Sequence, residues 1–462
     1  MFSLNKFPFN IYLSCLLQGF LFEIKDSFDL LKVCKKDSLH TISLAYLYPE
    51  SRLWIVGADE KTKDLVNKLG LKNVSFFEGI EEKIPKVDIA ILEKECVSQK
   101  TFDIVKEKLN EDGILYINYM AVPGGLSACA FWELVRMLVP EKASSEERTK
   151  KGIYFLRLLS RRGMIFLREN PYVAKEVEFY LDNPEDFTSK ISDQVTPFLF
   201  RDIYEEMKKR EFSYIGSANI VLNELELSVP PSQVPTFFEL TDTAVSETVK
   251  DFIRNTRERE DLFSKRAPVQ NYAQAFQVLK DKVKIFLSIP VTELIRVVPI
   301  MGGKIPLKGP VYDRIFQIFE DGKSFLLLEE LKDFSEKQVI RALTRILATG
   351  EFAISLNEPQ DTGWLSDFKE IELVPEINLF LLEESTDKFS QAVLISEVTK
   401  GAIQLSLLEA FILAELLKNK DIAEKIKEKL QKYGIKINSE QKEVFLKRKL
   451  PFLVKLGIVK QK

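Results

Sequence analysis

The stretch FDLLKVCKKDSLHTISLAYLYPES, residues 28–51, determines the fold expected for the first half of the chain. Its apolar start, around Leu30 and Leu31, predicts a buried strand, and the apolar run before Pro49 predicts a helix. A strand, a loop and a helix in this order form the unit with which nucleotide-cofactor α/β folds begin. In such folds the loop holds the ligand, so this loop is the first place to look for a site.

The loop itself has an unusual composition for that purpose. A cofactor loop normally contains glycines, because they let the backbone approach the ligand closely. No glycine is present here, and the loop consists of Cys34, Lys35, Lys36, Asp37 and Ser38. The sequence therefore combines the frame of a cofactor site with side chains where a bound cofactor would lie.

Short apolar runs alternate with helical patterns through the next eighty residues. Strands are predicted at 52–56, 73–79, 86–93 and 114–120, and helices at 60–70 and 100–113. Alternation of this kind predicts a parallel sheet covered by helices on both faces.

Length and composition describe an ordinary globular protein. The chain has 462 residues, enough for two to four domains, with 45% hydrophobic and 29% charged residues. A net charge of −3 indicates no overall attraction to nucleic acid or to membranes. Four cysteines without paired spacing and one histidine, His40, leave no zinc site, so no metal is predicted. Reduced thiols predict a cytoplasmic protein.

The apolar N-terminal stretch, residues 7–22, contains Pro8, Asn10 and Gln18 and lacks a small-residue cleavage site after it. It is also short for a helix that crosses a bilayer. We therefore expect an amphipathic or buried helix, and neither a signal peptide nor a membrane span.

The last third has a different pattern. Helices are predicted at 310–321, 325–334 and 335–350, followed by a strand at 351–356, which together are typical of a winged-helix domain. Helical patterns at 406–420, 420–434 and 444–457 then predict an all-α C-terminal domain.

The third helix of this unit carries a stripe of basic residues. Lys337, Arg341 and Arg345 recur at intervals of four, as contacts with a DNA backbone would require. Glu329 and Glu330 lie nearby and weaken the positive field that phosphate binding needs. Nucleic-acid binding is thus the less favoured interpretation of the stripe, and solvent-facing charge in a protein-contact module is favoured.

Several separated stretches resemble, in order, a known family. They are residues 30–51, LGLKNVSFFEG (69–79), VDIAIL (87–92), DGILYINYMAVPGG (112–125), PFLFRDIYEEMKKREFSYIG (197–216) and DFIRNTRERED (251–261). The family is the bacterial protein-lysine methyltransferases whose class I S-adenosylmethionine domain is joined to a methyltransferase regulatory domain. The resemblance extends over about residues 7–365.

The resemblance implies an architecture for the first part of the chain. An α/β, Rossmann-like class I methyltransferase core would occupy residues 1–125, and a helical insertion residues 126–180. A regulatory region, residues 181–268, would complete the sheet with strands near 212–215 and 256–263. From the helical patterns described above, we expect a winged-helix-like domain at 269–365 and a helical domain at 366–462 to follow.

The same resemblance identifies cofactor positions that have changed. The family's glycine-loop positions fall on Cys34, Lys36 and Ser38, and only Asp37 keeps its residue type. The acidic residue that opens the motif is replaced by Lys32.

The two carboxylates that the family uses for the nucleoside have also gone. The ribose carboxylate falls on Gly57, and the adenine carboxylate falls on Ile80, with Glu78 and Glu81 as imperfect substitutes. After the fourth strand, EKEC (93–96) replaces the family's substrate-channel residues. Three independent losses predict a degenerate site that binds no cofactor. Restoring the three glycines, with aspartate at Gly57, is expected to recover some binding.

Three functions follow as hypotheses. The first is a non-catalytic scaffold or regulatory protein that binds a protein partner, either an active methyltransferase or a substrate protein. The second is an active S-adenosylmethionine-dependent protein-lysine methyltransferase, with Tyr119 as the catalytic candidate in the Tyr…Pro-Gly turn. The third is a winged-helix nucleic-acid-binding protein.

A homodimer is a further expectation, because the resemblance places self-association in the helical insertion. Residues 131–139, with Trp132, present an apolar helical face that would suit either a dimer contact or burial within the parent domain.

Overall fold

A computed structural model describes residues 3–35, 38–79, 83–140, 142–184, 187–192, 194–266, 269–360, 370–388 and 391–461. No helix within these ranges is both long enough and apolar enough to cross a membrane.

A seven-stranded sheet organises the first half of the chain. Its strands are β1 (Asp29–Val33), β2 (Arg52–Val56), β3 (Val74–Phe77), β4 (Val87–Leu92), β5 (Leu109–Met120), β6 (Ser213–Ser217) and β7 (Glu258–Ser264). The order across the sheet is β3-β2-β1-β4-β5-β7-β6, and only β7 runs antiparallel to its neighbours. The α/β prediction is confirmed, and the strands expected near 212–215 and 256–263 lie in this sheet.

Helices cover both faces of the sheet. They are α1 (Pro8–Leu17), α2 (Ser38–Leu47), α3 (Glu60–Lys68), α4 (Gln99–Lys108), α10 (Phe200–Lys209), α11 (Leu225–Ser228) and α12 (Thr243–Arg254); the helices between α4 and α10 form the insertion described below. Leu30 on β1 shares a core with α1 and α2, whereas Leu31 shares the opposite core with α4 and α10. Side chains of a strand alternate between faces, so β1 carries a leucine on each face because both of its faces are buried. The buried helix expected near the N-terminus is α1.

The helical insertion has a hydrophobic core of its own. It consists of α5 (Leu126–Leu138), α6 (Ser145–Arg161), α7 (Ile165–Glu169), α8 (Pro171–Asp182) and α9 (Phe187–Ser192). Phe131, Trp132 and Val135 lie in this core. The indole Nε1 of Trp132 donates a hydrogen bond of 2.6 Å to Glu176. The apolar face of α5 is therefore covered within the insertion.

The middle region contains α13 (Tyr272–Lys282), β8 (Lys284–Leu287), β9 (Val297–Ile300), β10 (Gly303–Pro306), α14 (Pro310–Glu320), β11 (Phe325–Leu327), α15 (Glu336–Ala348) and β12 (Phe352–Ser355). The helix predicted at 325–334 is wrong, since this stretch is strand β11 and a 3-10 turn over Leu328–Leu331. β11 pairs antiparallel with β8, so a non-local strand contact overrides the local helical preference of leucine and glutamate.

The C-terminal region is not all-α, which corrects the prediction. Its helices are α16 (Ile377–Lys388), α17 (Leu407–Leu416), α18 (Lys420–Lys432), α19 (Ser439–Val444) and α20 (Leu450–Lys455), with a π-helical turn at Phe445–Lys449. Its strands are β13 (Ile371–Leu373), β14 (Gln391–Ser396), β15 (Gly401–Ser406) and β16 (Val459–Gln461). β14 and β15 form a hairpin, and β13 pairs with β16 at the end of the chain. The second pairing joins segments far apart in sequence, which periodicity does not reveal.

Candidate functional site

The carboxyl ends of β1, β2 and β4 bring together the residues that follow each strand. Parallel neighbours end at the same edge of a sheet, where α/β folds bind their ligands. Cys34 donates its backbone N–H to Val56 at 3.1 Å, and Glu93 donates its own to Val33 at 3.1 Å. Cys34, Gly57 and Glu93 are thereby held at one edge, the region where the sequence predicted a degenerate cofactor site.

Gly57 lies at the end of β2 with a φ of +79°, in the left-handed region that favours glycine. A Cβ atom added to Gly57 would lie 2.5 Å from the carbonyl oxygen of Cys34. Cβ and carbonyl oxygen atoms do not approach this closely without a shift of the backbone. The position at which the sequence predicted a ribose carboxylate therefore has no room for a side chain in this conformation.

The remaining predicted site residues lie partly inside and partly outside the described part of the chain. Cys34 is buried, with 2% of its surface exposed. Ser38 is the first residue of α2, whereas Lys36, Asp37 and Glu81 lie outside the described residues. Within the described ranges, no group of histidine, cysteine and acidic residues could hold a metal ion.

Glu78, the other predicted substitute for the adenine carboxylate, lies at the surface. Its carboxylate is 3.1 Å from the Nζ atom of Lys63 on α3, and its side chain is 89% exposed. An exposed pair of this kind contributes little stability, so Glu78 could exchange partners at low cost.

Lys32 lies in β1 and is completely buried. Its Nζ atom lies 3.0 Å from Nδ1 of His40 and donates a hydrogen bond of 3.3 Å to Thr41 Oγ1. His40 and Thr41 belong to α2, so this side chain joins β1 to the helix that follows the loop. Sequence reasoning identified Lys32 as a lost acidic residue but missed its contact with His40.

The segment before α1 contributes a second buried amine to the same edge. Lys6 is 4% exposed, and its Nζ atom donates a hydrogen bond of 2.8 Å to Glu93 Oε1. Phe7 is fully buried and packs edge-on against His40, with 5.0 Å between ring centroids. Residues 6 and 7 therefore contact the polypeptide following both β4 and β1. Sequence reasoning missed these contacts, because the sequence shows Lys6 only as a charged residue before an apolar helix.

Tyr119, the catalytic candidate, lies in β5 inside a buried hydrogen-bonded network. Its hydroxyl donates to Asp261 Oδ2 at 2.6 Å. Asp261 also accepts bonds of 2.8 and 2.9 Å from Arg259, whose guanidinium bonds Asp251 at 3.0 Å. Tyr119, Asp251 and Asp261 are fully buried. The network joins β5 and β7 to α12.

Burial, and then the negative charge of Asp261, raises the pKa of Tyr119 well above its ordinary value. The phenol therefore stays protonated at neutral pH, and its proton is committed to Asp261. In this arrangement Tyr119 connects buried structural groups and presents no surface to a substrate.

The two arginines of the basic stripe on α15 pair with carboxylates of the regulatory region. Arg341 donates to Glu224 at 3.0 Å and to Glu226 at 3.1 Å, and Arg345 contacts the same two residues. The Nζ atom of Lys337 lies 5.4 Å from the ring of Tyr272. The two arginines of the stripe thus attach the middle region to the segment around α11, although Lys337 and Arg341 stay exposed.

Known proteins share parts of this organisation. Residues 189–265 match the family described as predicted methyltransferase regulatory domain. An uncharacterised protein of Synechocystis is 23% identical over 467 residues, covering 90% of this chain and 88% of that protein. An uncharacterised protein of Rickettsia prowazekii is 27% identical over 248 residues, covering 47% of this chain and 42% of that protein.

Among solved structures, PKMT2 from Rickettsia typhi in complex with AdoHcy resembles nearly the whole chain. The TM-score is 0.60 with 15% identity, over 99% of this chain and 98% of that one. At this identity the likeness concerns the fold. Residues 189–265 thus match a predicted methyltransferase regulatory domain, and the α/β fold with its mostly parallel sheet is that of a class I methyltransferase.

Proposed function

We propose that this chain is a catalytically degenerate class I methyltransferase that acts as a scaffold or regulatory partner of another protein. The observation that carries the proposal is the contact between Gly57 and Cys34. The position that should supply the ribose carboxylate holds a glycine with positive φ, and a backbone carbonyl fills the space of its side chain. The family fold is retained, and the residues at its cofactor edge do not fit S-adenosylmethionine.

Two further features support this lack of fit. The opening acidic residue of the motif is replaced by Lys32, whose buried side chain contacts His40 and Thr41 and offers no carboxylate to a cofactor. Lys6 and Glu93 bond to each other at the end of β4, so neither is available to a ligand without breaking a buried ion pair. Both features concern interactions that a cofactor would have to replace.

The expected loss of affinity is large. A hydrogen bond to a charged group contributes about 1.5–3 kcal/mol. Losing two or three such contacts weakens binding by roughly three to five orders of magnitude, since about 1.4 kcal/mol corresponds to a factor of ten. We therefore expect the affinity for S-adenosylmethionine to be no better than millimolar.

A second candidate is an active S-adenosylmethionine-dependent protein-lysine methyltransferase. It is favoured by the whole-chain likeness to PKMT2, a protein solved with AdoHcy bound. For this chain to bind the cofactor similarly, the Cys34–Gly57 contact would have to open, and Glu78 or another carboxylate would have to take over the lost contacts.

Titration calorimetry with S-adenosylmethionine separates the two candidates. The degenerate scaffold predicts no saturable heat at micromolar cofactor and no transfer of labelled methyl groups to a lysine-rich protein. Micromolar binding would overturn the proposal and support the active enzyme. A Lys6→Ala variant tests whether the Lys6–Glu93 pair alone blocks the site. Micromolar binding of S-adenosylmethionine by this variant would also overturn the proposed degeneracy.

The protein partner of the scaffold is an active methyltransferase or a substrate protein, and a homodimer also remains a proposal. Because Trp132 is buried inside the insertion, a dimer would have to use another surface. Light scattering of the purified chain tests this, and a mass of 53.2 kDa at micromolar concentration would contradict the dimer. The α15 arginines are paired with glutamates, so nucleic-acid binding receives no support from them.

A further inference from the structure

One surface of the helical insertion carries a concentration of positive charge. Between residues 150 and 168 the sequence has six basic side chains and no acidic one, in a chain with a net charge of −3. They are Lys150, Lys151, Arg157, Arg161, Arg162 and Arg168. We call these six residues, with Tyr154 and Ile165, the basic face.

The packing of α6 turns this face outward. Gly152, Ile153 and Leu156 are buried on the inner side of the helix, and Ile153 and Leu156 belong to the core of the insertion. All six basic residues of the face are exposed. The face continues across the short turn into α7, because Ile165 and Arg168 are exposed there as well.

Most of these charges lack a partner within the described part of the chain. Lys150 pairs with Glu146 and Arg168 with Glu169, both near neighbours in sequence. No carboxylate among the described residues forms an ion pair with Lys151 or with the arginines at 157, 161 and 162. Elsewhere, by contrast, arginines such as Arg341 and Arg345 face glutamates of another segment.

Apolar side chains are interspersed among the charges. Tyr154 is 62% exposed and Ile165 is 65% exposed. A contact surface with exposed apolar groups surrounded by basic groups is typical of a protein interface, in which aromatic residues and arginine are enriched. A phosphate backbone offers an aliphatic side chain such as Ile165 no apolar partner.

We propose that the basic face is the docking surface for an acidic protein segment that also carries apolar side chains. Arginine supports this assignment, because its planar fork binds carboxylates through two parallel hydrogen bonds. A bilayer fits less well, because the apolar side of α6 is already buried and only two apolar side chains remain to insert. A symmetric contact with a second copy would place like charges against each other.

The surface lies on the helical insertion and not at the cofactor edge of the sheet. The proposal therefore does not depend on whether S-adenosylmethionine binds, and its failure would leave the proposed degeneracy untouched.

Fluorescence anisotropy with the full-length chain tests the proposal. The probe is a labelled synthetic peptide in which glutamates alternate with leucine and tyrosine. The parent protein should bind it in low salt. Reversing three charges with Arg157→Glu, Arg161→Glu and Arg162→Glu should weaken binding about tenfold or more, because like charges then face the peptide. Tyr154→Ser with Ile165→Ser should weaken binding to a smaller extent and leave its salt dependence unchanged.

A matched control variant has the same change in net charge at exposed lysines of the C-terminal region. It combines Lys427→Glu, Lys436→Glu and Lys447→Glu, and it should bind the peptide within about twofold of the parent. If the reversed variant misfolds by circular dichroism, Arg157→Gln, Arg161→Gln and Arg162→Gln replace it. Equal binding by parent and variant would overturn the proposal, and so would tighter binding of a DNA duplex or of phosphatidylserine vesicles than of the peptide.

Discussion

The Nζ atom of Lys6 lies 2.8 Å from Oε1 of Glu93, and both residues are buried. This ion pair joins the segment before the first helix to the carboxyl end of β4, at the edge where a class I methyltransferase fold would hold its cofactor. Removing one member of a buried pair leaves the other charge without compensation, and this costs about 3–5 kcal/mol.

We therefore expect Lys6→Met to lower the free energy of unfolding by about 3 kcal/mol or more. Urea unfolding followed by circular dichroism measures it. The double variant Lys6→Met, Glu93→Leu should recover part of the loss, because no buried charge is then left alone. As a control, Lys25→Met removes a more exposed pair with Asp88 and should cost about 1 kcal/mol or less. Equal losses for Lys6 and Lys25 would contradict the burial argument.

Gly57→Asp should destabilise the chain without creating a cofactor site. The substitution combines a left-handed backbone, which costs a non-glycine residue about 1–2 kcal/mol, with the close approach of the Cys34 carbonyl. Gly70→Asp is a matched control, since Gly70 has a φ of +66° but no atom within 4 Å of an added Cβ. We expect the loss of stability at Gly57 to exceed the loss at Gly70 in thermal unfolding.

The close contact at Gly57 also argues against the sequence-based expectation that aspartate there recovers cofactor binding. Micromolar cofactor binding by Gly57→Asp would refute the structural argument.

Tyr119→Phe should lower stability by about 1–2 kcal/mol, since it removes one hydrogen bond to the buried Asp261 carboxylate. The loss should be moderate because Arg259 continues to donate two bonds to that carboxylate. Chemical unfolding of the variant provides the value. Unchanged stability, together with loss of a measured methyl-transfer activity, would instead identify Tyr119 as catalytic.

The stability of the chain should depend on pH through Glu247. Burial acts to raise the pKa of this carboxyl, but Lys250 and Arg259 outweigh it and lower the pKa below its ordinary value of 4.5. A lowered folded-state pKa means that the stabilisation is complete above pH 4.5 and is lost as the pH falls through the folded-state value.

Glu247→Gln should therefore lower the free energy of unfolding by about 1.5–3 kcal/mol at pH 7. The loss should become progressively smaller as the pH falls below 4.5. Unfolding free energies measured between neutral and acidic pH provide the comparison. Glu443→Gln serves as the control, because its partner Lys447 and its own carboxylate are both exposed. A penalty for Glu247→Gln that did not change with pH would show that the side chain contributes packing and not charge.

Binary patterns and the family resemblance predicted most elements of the first half of the fold, although residues 109–113, predicted as the end of a helix, belong to β5. Residues 28–51 contain a buried strand and a helix, and they form β1 and α2 as expected. The pairing of β11 with β8 and of β13 with β16 could not be predicted, because strand pairing depends on segments distant in sequence. The wrong prediction of a helix at 325–334 fails for that reason, whereas the all-α C-terminal domain fails also because the local hairpin of β14 and β15 was missed.

The candidate site divides in the same way. The sequence by itself determined that residues 34–38 contain no glycine and that a glycine stands at position 57, because residue identity is a local property; that these are lost cofactor positions stays a prediction from the resemblance. Only the tertiary structure decided that the Cys34 carbonyl closes the space at Gly57, that Lys6 meets Glu93, and that Tyr119 bonds Asp261. These contacts depend on which strand ends meet at the sheet edge and on how closely the backbones approach. That geometry is set by the packing of the whole sheet, and no single stretch of sequence contains it.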